Sequence, residues 1–322
     1  MDIEQLRMRR EERRRAIRRR RRVAVGLIAA VAAAVGAIVV VALGSGSAKP
    51  RHQATARTAG VHHTRSAARG TATADASDQR SGPPGTDPVP ILMYHVIAAP
   101  PPGAPFPGLY VEPTEFAEQM QALKHAGWHA VTLDQVQAYW RRGVPLGRGK
   151  PIVISFDNGY NSQYTQALPV LRRLGWVGDE NLQLSGLPPS QGGLGPGQIQ
   201  GLLQAGWELD TQGTSHADLI TLDAQQLQYQ VAEARKTLQQ RYHVPVDWFC
   251  YPSGHYDAAV IAAVKAAGFI GSTTVVPGWA HPGDDPYRLH RLRVLGGTSA
   301  QGLLALLEDT RDAPPAPSSY SA

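Results

Sequence analysis

The sequence has one cysteine, Cys250, in 322 residues. That excludes an intramolecular disulfide, and it excludes a thiolate zinc centre, which needs two or more sulfurs at short spacing. Any metal held here must use oxygen or imidazole. Acidic residues are scarce where basic ones are dense: the first 22 residues hold eleven Arg against four acids, whereas Val89 to the end has 15 basic against 19 acidic side chains. The formal net charge of +6 therefore belongs to the N-terminal quarter, and the remainder is mildly acidic. No basic face for nucleic acid is expected on it. Large apolar residues are nearly absent from Gly44 to Asp87, a stretch of Gly, Ser, Thr, Ala, Arg and Pro. Such a stretch cannot bury enough surface to offset ordering entropy, so residues 44–88 read as a disordered linker and its His62–His63 pair as incidental.

Long apolar runs are also lacking, with one exception. Val23–Leu43 carries no charge over 21 residues, and at about 1.5 Å per helical residue it spans roughly the 30 Å hydrocarbon core. The Arg-rich flank of residues 1–22 should stay cytoplasmic, which sends everything after Gly44 outside the membrane. The expectation is a single-pass signal-anchor in the cell membrane, because the run exceeds the ~7–15 residues of a cleaved signal. Cleavage within LGSGSA would instead give a secreted protein.

Residues 89–309 alternate short apolar runs with helical stretches. Strands are expected at VPILMYHV, PIVISF, WELD, VDWFCYP, FIGSTTV and HRLRVL, and helices over 114–126, 162–174, 224–242 and 257–267. Strands followed by helices imply a parallel sheet covered by helices. With six or seven repeats the α/β class resolves to a distorted (β/α) barrel. Residues 310–322, rich in Pro, Ala and Ser, read as a disordered tail.

Three strand ends carry polar groups: Ser155-Phe156-Asp157-Asn158-Gly159-Tyr160, Asp210-Thr211-Gln212-Gly213-Thr214-Ser215-His216, and Tyr251-Pro252-Ser253-Gly254-His255. An Asp, a His and exposed backbone amides at one mouth would suit hydrolysis with a general base and an oxyanion site. The bland reading is a helix-capping Asp157 and a His216 packed on loop backbone.

In order and spacing, residues Val89 to Val294 resemble the polysaccharide deacetylase family (carbohydrate esterase family 4, the NodB homology domain), as a divergent member. ISFDNGY resembles its T-F-D-D-G-Y motif, DTQGTSHADL its S-H-T-x-T-H-P-D-L, and FCYPSGHYD its F-x-Y-P-x-G-x-Y-D. GFIGSTTVVPG and LHRLRV follow in the family's order, after the entry strand VPILMYHVI. The resemblance implies a distorted barrel and metal-dependent removal of N-acetyl groups from peptidoglycan, chitin-like polymers or exopolysaccharide. It also implies a divalent metal, zinc by expectation. Asp157 takes the position of the general base, and the backbone N–H of Ser253 that of the oxyanion donor. His290 is the nearest candidate for the general acid, with His255 and His281 as alternatives. The metal positions are Asn158, Gln212 and His216, where the family has Asp, His and His.

Carboxamides offer a metal neither charge nor a basic lone pair, so affinity should fall and the bound water should lose its acidity. Two outcomes follow. The chain remains a hydrolase whose site is completed by His95, Asp210 or His255, or it is a pseudoenzyme that binds N-acetylated polysaccharide at the cell surface. A third class, a structural or protein-binding domain, would show a filled groove. Trp140, Trp207, Trp248 and Trp279 are candidate stacking surfaces for sugars.

Overall fold

The computed structural model describes residues 82–187 and 192–321. The Arg-rich segment, the Val23–Leu43 run and the linker as far as residue 81 lie outside the described residues. Among the described residues no helix is long and apolar enough to cross a membrane.

The described residues form ten strands: β1 Ile91–Tyr94, β2 Val96–Ile97, β3 Tyr110–Val111, β4 Trp128–Ala130, β5 Lys150–Asn158, β6 Asp179–Leu182, β7 Glu208–Thr211, β8 Trp248–Cys250, β9 Gly271–Thr273 and β10 Leu292–Arg293. Eight of them form one parallel sheet in the order β10-β1-β5-β6-β7-β8-β9, with β4 beside the start of β5. A bridge from Thr273 to Leu289 draws β9 toward the segment entering β10, so the sheet curves into an incomplete (β/α) barrel. Because every strand is parallel, all C-terminal ends open at one mouth.

β5 is the spine. Its IVISF run is buried on both faces, as a central parallel strand must be. Ile152, Ile154 and Phe156 face the helical layer, where Phe156 stacks on Trp207 at 4.9 Å between ring centroids and on Tyr94 at 5.8 Å. Ser155 and Asp157, on the opposite face by the two-residue pleat, point inward. The helix Leu133–Arg142 lies at the floor of the barrel: Thr132 and Gln135 form a capping box, Gly143 closes the other end in the left-handed region, and Leu133, Val136 and Trp140 pack with Val153 and Trp248.

The structure extends the domain at both ends. Residues 82–88, assigned to the linker from composition, lie along that helix: Gly85 N donates to Tyr139 O at 2.9 Å, and Trp140 Nε1 donates to Asp87 O at 2.9 Å. The expected disordered tail is ordered as far as Ser321. Tyr320 pairs with Tyr256 through reciprocal backbone bonds of 2.8 and 2.9 Å, Tyr256 Oη donates to Pro317 O at 2.7 Å, and Arg288 Nη1 donates to Ala316 O at 3.1 Å. A proline-rich segment loses little further entropy on docking, and its free carbonyls accept from side chains that the domain already holds in place.

Candidate functional site

A cleft of about 520 Å³ opens at the mouth formed by the strand C-termini. β1 contributes Met93 and the following His95; β5 ends in Asp157 and Asn158; Gln183 follows β6 and Gln212 follows β7. Tyr251 and Ser253 follow β8, and Arg293 ends β10. His216 reaches the rim from the loop after β7, and Phe106 overhangs it from the loop before β3. Six of the residues read from the sequence as site candidates, His95, Asp157, Asn158, Gln212, His216 and Ser253, therefore meet in one cleft.

Backbone geometry at two of them is special. Asn158 has φ of 79° and Ser253 of 57°, both in the left-handed region that costs most side chains energy. Asn tolerates this region, which fits its place before Gly159 in the turn leaving β5. Gln163, in a π-helical turn of the helix that follows, donates through Nε2 to the carbonyls of both His95 and Asp157 at 2.9 Å and so ties two walls of the cleft together.

Asp157 is clamped. Arg291 Nη1 donates to Oδ1 at 2.7 Å and Nη2 to Oδ2 at 2.9 Å, while Asn181 Nδ2 adds a bond to Oδ1 at 2.9 Å. Arg291 has no exposed surface, and its Nε donates to Thr274 O at 2.8 Å. Burial alone would raise the Asp157 pKa, but the Arg291 guanidinium, with help from His95 and Asn181, holds it below the ordinary carboxylate value. His95 Nε2 lies 3.9 Å from Asp157 Oδ2. Burial, together with Arg291 and Arg293, lowers the His95 pKa from 6.5 to about 4 against the pull of the carboxylate, so its imidazole is neutral at pH 7.

The remaining sequence candidates separate. His290, expected as the acid, is buried and does not line the cleft, with Nε2 3.0 Å from Pro314 O and Nδ1 3.6 Å from Asp284 Oδ2. Strand alternation explains the correction: Leu292 packs into the helical layer, which turns His290 outward with it and Arg291 inward. His281 borders a different surface hollow beside Trp140 and Trp248. His255 pairs with Asp218 at 3.0 Å and does not line the cleft. Asp210 lies deeper, with Oδ1 accepting from Trp248 N at 3.0 Å. Trp140, Trp207, Trp248 and Trp279 are all buried and none lines the cleft, whose most exposed Phe, Tyr or Trp ring is that of Phe106, at 68%. Arg291 and Asn181 escaped the sequence reading. The available signal was Arg at alternate positions 291 and 293 of a strand whose other face is apolar.

The family's metal can be tested against the residues at its three positions. Gln212 Nε2 donates to Cys250 Sγ at 3.2 Å, its Oε1 is buried without a partner, and burial pushes the Cys250 thiol up to about 12. The set is therefore two carboxamides and one rim imidazole beside an inert thiol, which does not fit a catalytic zinc. Among the described residues, the one grouping of three His, Cys, Asp or Glu side chains close enough to share an ion is Asp179, Glu208 and Asp210, and none of these lines the cleft.

The family model described as polysaccharide deacetylase matches residues 147–271. YxkH of Bacillus subtilis (strain 168), named for the polysaccharide deacetylases, is 27% identical over 223 residues, 69% of this chain and 77% of that protein. The poly-beta-1,6-N-acetyl-D-glucosamine N-deacetylase of Escherichia coli (strain K12) is 35% identical over 66 residues, 20% of this chain and 10% of that one. Among solved structures, the Streptococcus pyogenes deacetylase PplD in complex with acetate matches with a TM-score of 0.63 at 23% identity, over 69% of this chain and 99% of its own, a likeness of fold. The motif-bearing strand ends and these matches give the chain a region, residues 147–271, that matches the polysaccharide deacetylase family model, on a curved parallel sheet similar in fold to solved deacetylases.

Proposed function

We propose that this protein binds N-acetylated polysaccharide in the family's cleft and no longer hydrolyses it by the family's metal route. The observation that carries the reading is the identity of the ligand positions: Asn158 and Gln212 are carboxamides, and the Gln212 amide is turned onto the Cys250 sulfur. Without a cation to acidify it, water near Asp157 keeps a pKa far above neutral. Asp157 in turn is a weak base, its oxygens occupied by Arg291 and its pKa depressed.

The same side chains suit binding. An acetamido group presents one N–H donor and one C=O acceptor, and a carboxamide side chain offers the complementary pair. Asn158, the last residue of Asp157's strand, and Gln183, just after the neighbouring β6, line the cleft with the neutral His95 and Arg293. Phe106 provides an exposed ring for the apolar face of a pyranose. The substrate class is argued from the likeness to polysaccharide deacetylases and from the Escherichia coli relative, a poly-beta-1,6-N-acetyl-D-glucosamine N-deacetylase. The reading puts the domain outside the membrane, tethered by Val23–Leu43, on the strength of that run's length and its Arg-rich flank.

The full chain, offered N-acetylglucosamine oligomers, should show saturable binding by calorimetry and no acetate release above the uncatalysed rate. Turnover that disappears in His95→Gln would favour hydrolysis through the His95–Asp157 pair and overturn the proposal. Absence of both binding and turnover would favour a protein-binding or structural role instead.

A further inference from the structure

Below the cleft, the interior of the barrel holds a second polar centre that the family reading leaves unused. One carboxylate oxygen from each of Asp179, Glu208 and Asp210 lies within 4.8 Å of the others. Asp179 and Asp210 have no exposed surface. Each carboxylate has one oxygen fixed by a backbone N–H: Leu133 N donates to Asp179 Oδ2 at 2.9 Å, Asp134 N to Glu208 Oε2 at 3.0 Å, and Trp248 N to Asp210 Oδ1 at 3.0 Å. The other oxygen of each, Asp179 Oδ1, Glu208 Oε1 and Asp210 Oδ2, is buried and accepts no hydrogen bond from the surrounding groups, Glu208 and Asp210 being able to bond one another only by sharing a proton. Three orphaned acceptors on three adjacent, rigidly oriented carboxylates are costly to bury unless something positive meets them.

Among the described residues, no Lys or Arg side chain is hydrogen-bonded or ion-paired to any of the three. The nearest favourable charge is the N-terminus of the helix Leu133–Arg142, whose first two free N–H groups supply two of the bonds just described. A helix end is equivalent to roughly half a positive charge, too little for three carboxylates. The arrangement in which one oxygen is oriented by a hydrogen bond and its twin is left free is that of carboxylates poised to ligate.

We infer that Asp179, Glu208 and Asp210 form an oxygen-only site for a hard divalent cation, Ca²⁺ or Mg²⁺, inside the barrel floor. The ligand class follows from the donors: carboxylates without imidazole or sulfur select hard ions over zinc. Its role is structural, joining β6, β7 and the N-terminus of the helix that plugs the floor. The competing way to neutralise the cluster is protons. Burial and mutual repulsion raise all three pKa values, Glu208 to about 7 and the two Asp well above the ordinary carboxylate value, so protons fill this role best in acid. The two solutions separate at alkaline pH.

The test uses the full chain, stripped with chelator and re-equilibrated at pH 8 with Ca²⁺, Mg²⁺ or Mn²⁺ singly, with bound metal counted by elemental analysis and melting temperature recorded. Wild type and His216→Ala, which alters the cleft alone, should each retain one ion per chain and melt higher with it than without. Asp210→Asn keeps an acceptor for Trp248 N but removes a charge, and should lose both the ion and the response. Should Asp210→Asn fail to fold, Asp179→Asn and the wild-type melting shift decide the matter. Wild type that holds no ion, that loses it in His216→Ala, or that keeps it undiminished in Asp210→Asn overturns the assignment.

Discussion

Arg291 grips both carboxylate oxygens of Asp157, at 2.7 and 2.9 Å, across 134 residues of chain and with both side chains buried. A paired buried charge of this kind costs little while intact and much when halved, because the survivor remains in a medium that solvates it poorly. Arg291→Met should therefore lower unfolding free energy by about 3–5 kcal/mol, while Arg291→Met combined with Asp157→Leu should recover a large part of that loss. Urea unfolding of the four proteins in the cycle measures it. Additive losses would mean that the two residues act separately.

Much of the fold was legible because its signals are apolar: six strands carry runs that end in Gly, Pro or a polar cluster, and all six occur where the pattern puts them. β6 was not legible. Its sequence Asp179-Glu180-Asn181-Leu182 holds three buried polar residues in four, and no hydropathy pattern marks such a strand. Those side chains make sense only through partners distant in sequence, Asp157 for Asn181 and the helix N-terminus at Leu133 for Asp179. The cleft was half legible for the same reason. Strand-end motifs disclose what stands at the mouth, whereas Arg291 is recognisable only when one knows which face of β10 turns inward.

Restoring the family's ligands is the direct test of the metal-position assignment. Asn158→Asp is compatible with the left-handed backbone at φ 79°, and Gln212→His would replace an amide now bonded to Cys250 Sγ. The double variant should acquire zinc that wild type does not hold, and should lose it again when His216→Ala is added. Elemental analysis after equilibration with zinc gives the count. A double variant indistinguishable from wild type would show that these positions do not converge on one ion.

His95 makes stability depend on pH in a window of its own. Its folded pKa of about 4 lies below the unfolded 6.5, so between these values the unfolded chain binds the extra proton and the folded one does not. The contribution is fully present above pH 6.5 and is lost as pH falls toward 4. At about 1.4 kcal/mol per unit it amounts to on the order of 3 kcal/mol. The difference in unfolding free energy between wild type and His95→Gln should change by that order from pH 7.5 to pH 4.5, since the other titrating groups are common to both. Parallel stability curves would mean that His95 takes up its proton at the same pH in the folded and unfolded chain.

Phe106 offers the cleanest separation of binding from folding. It is 68% exposed on a loop held by Pro105 and Pro107, so its ring presents to the cleft without loop ordering to be overcome on binding. Phe106→Ala should leave stability within about 0.5 kcal/mol of wild type, as surface truncations do. If the ring stacks on a pyranose, affinity for N-acetylglucosamine oligomers should fall roughly tenfold, the usual effect of removing an aromatic anchor from an interface. Tyr229→Ala is the control, because Tyr229 is also exposed, at 57%, but does not line the cleft. Calorimetric titration of the three proteins with one oligomer suffices. Equal weakening by both substitutions would indicate a general loss of surface apolarity, and no weakening by Phe106→Ala would remove the ring from the binding site.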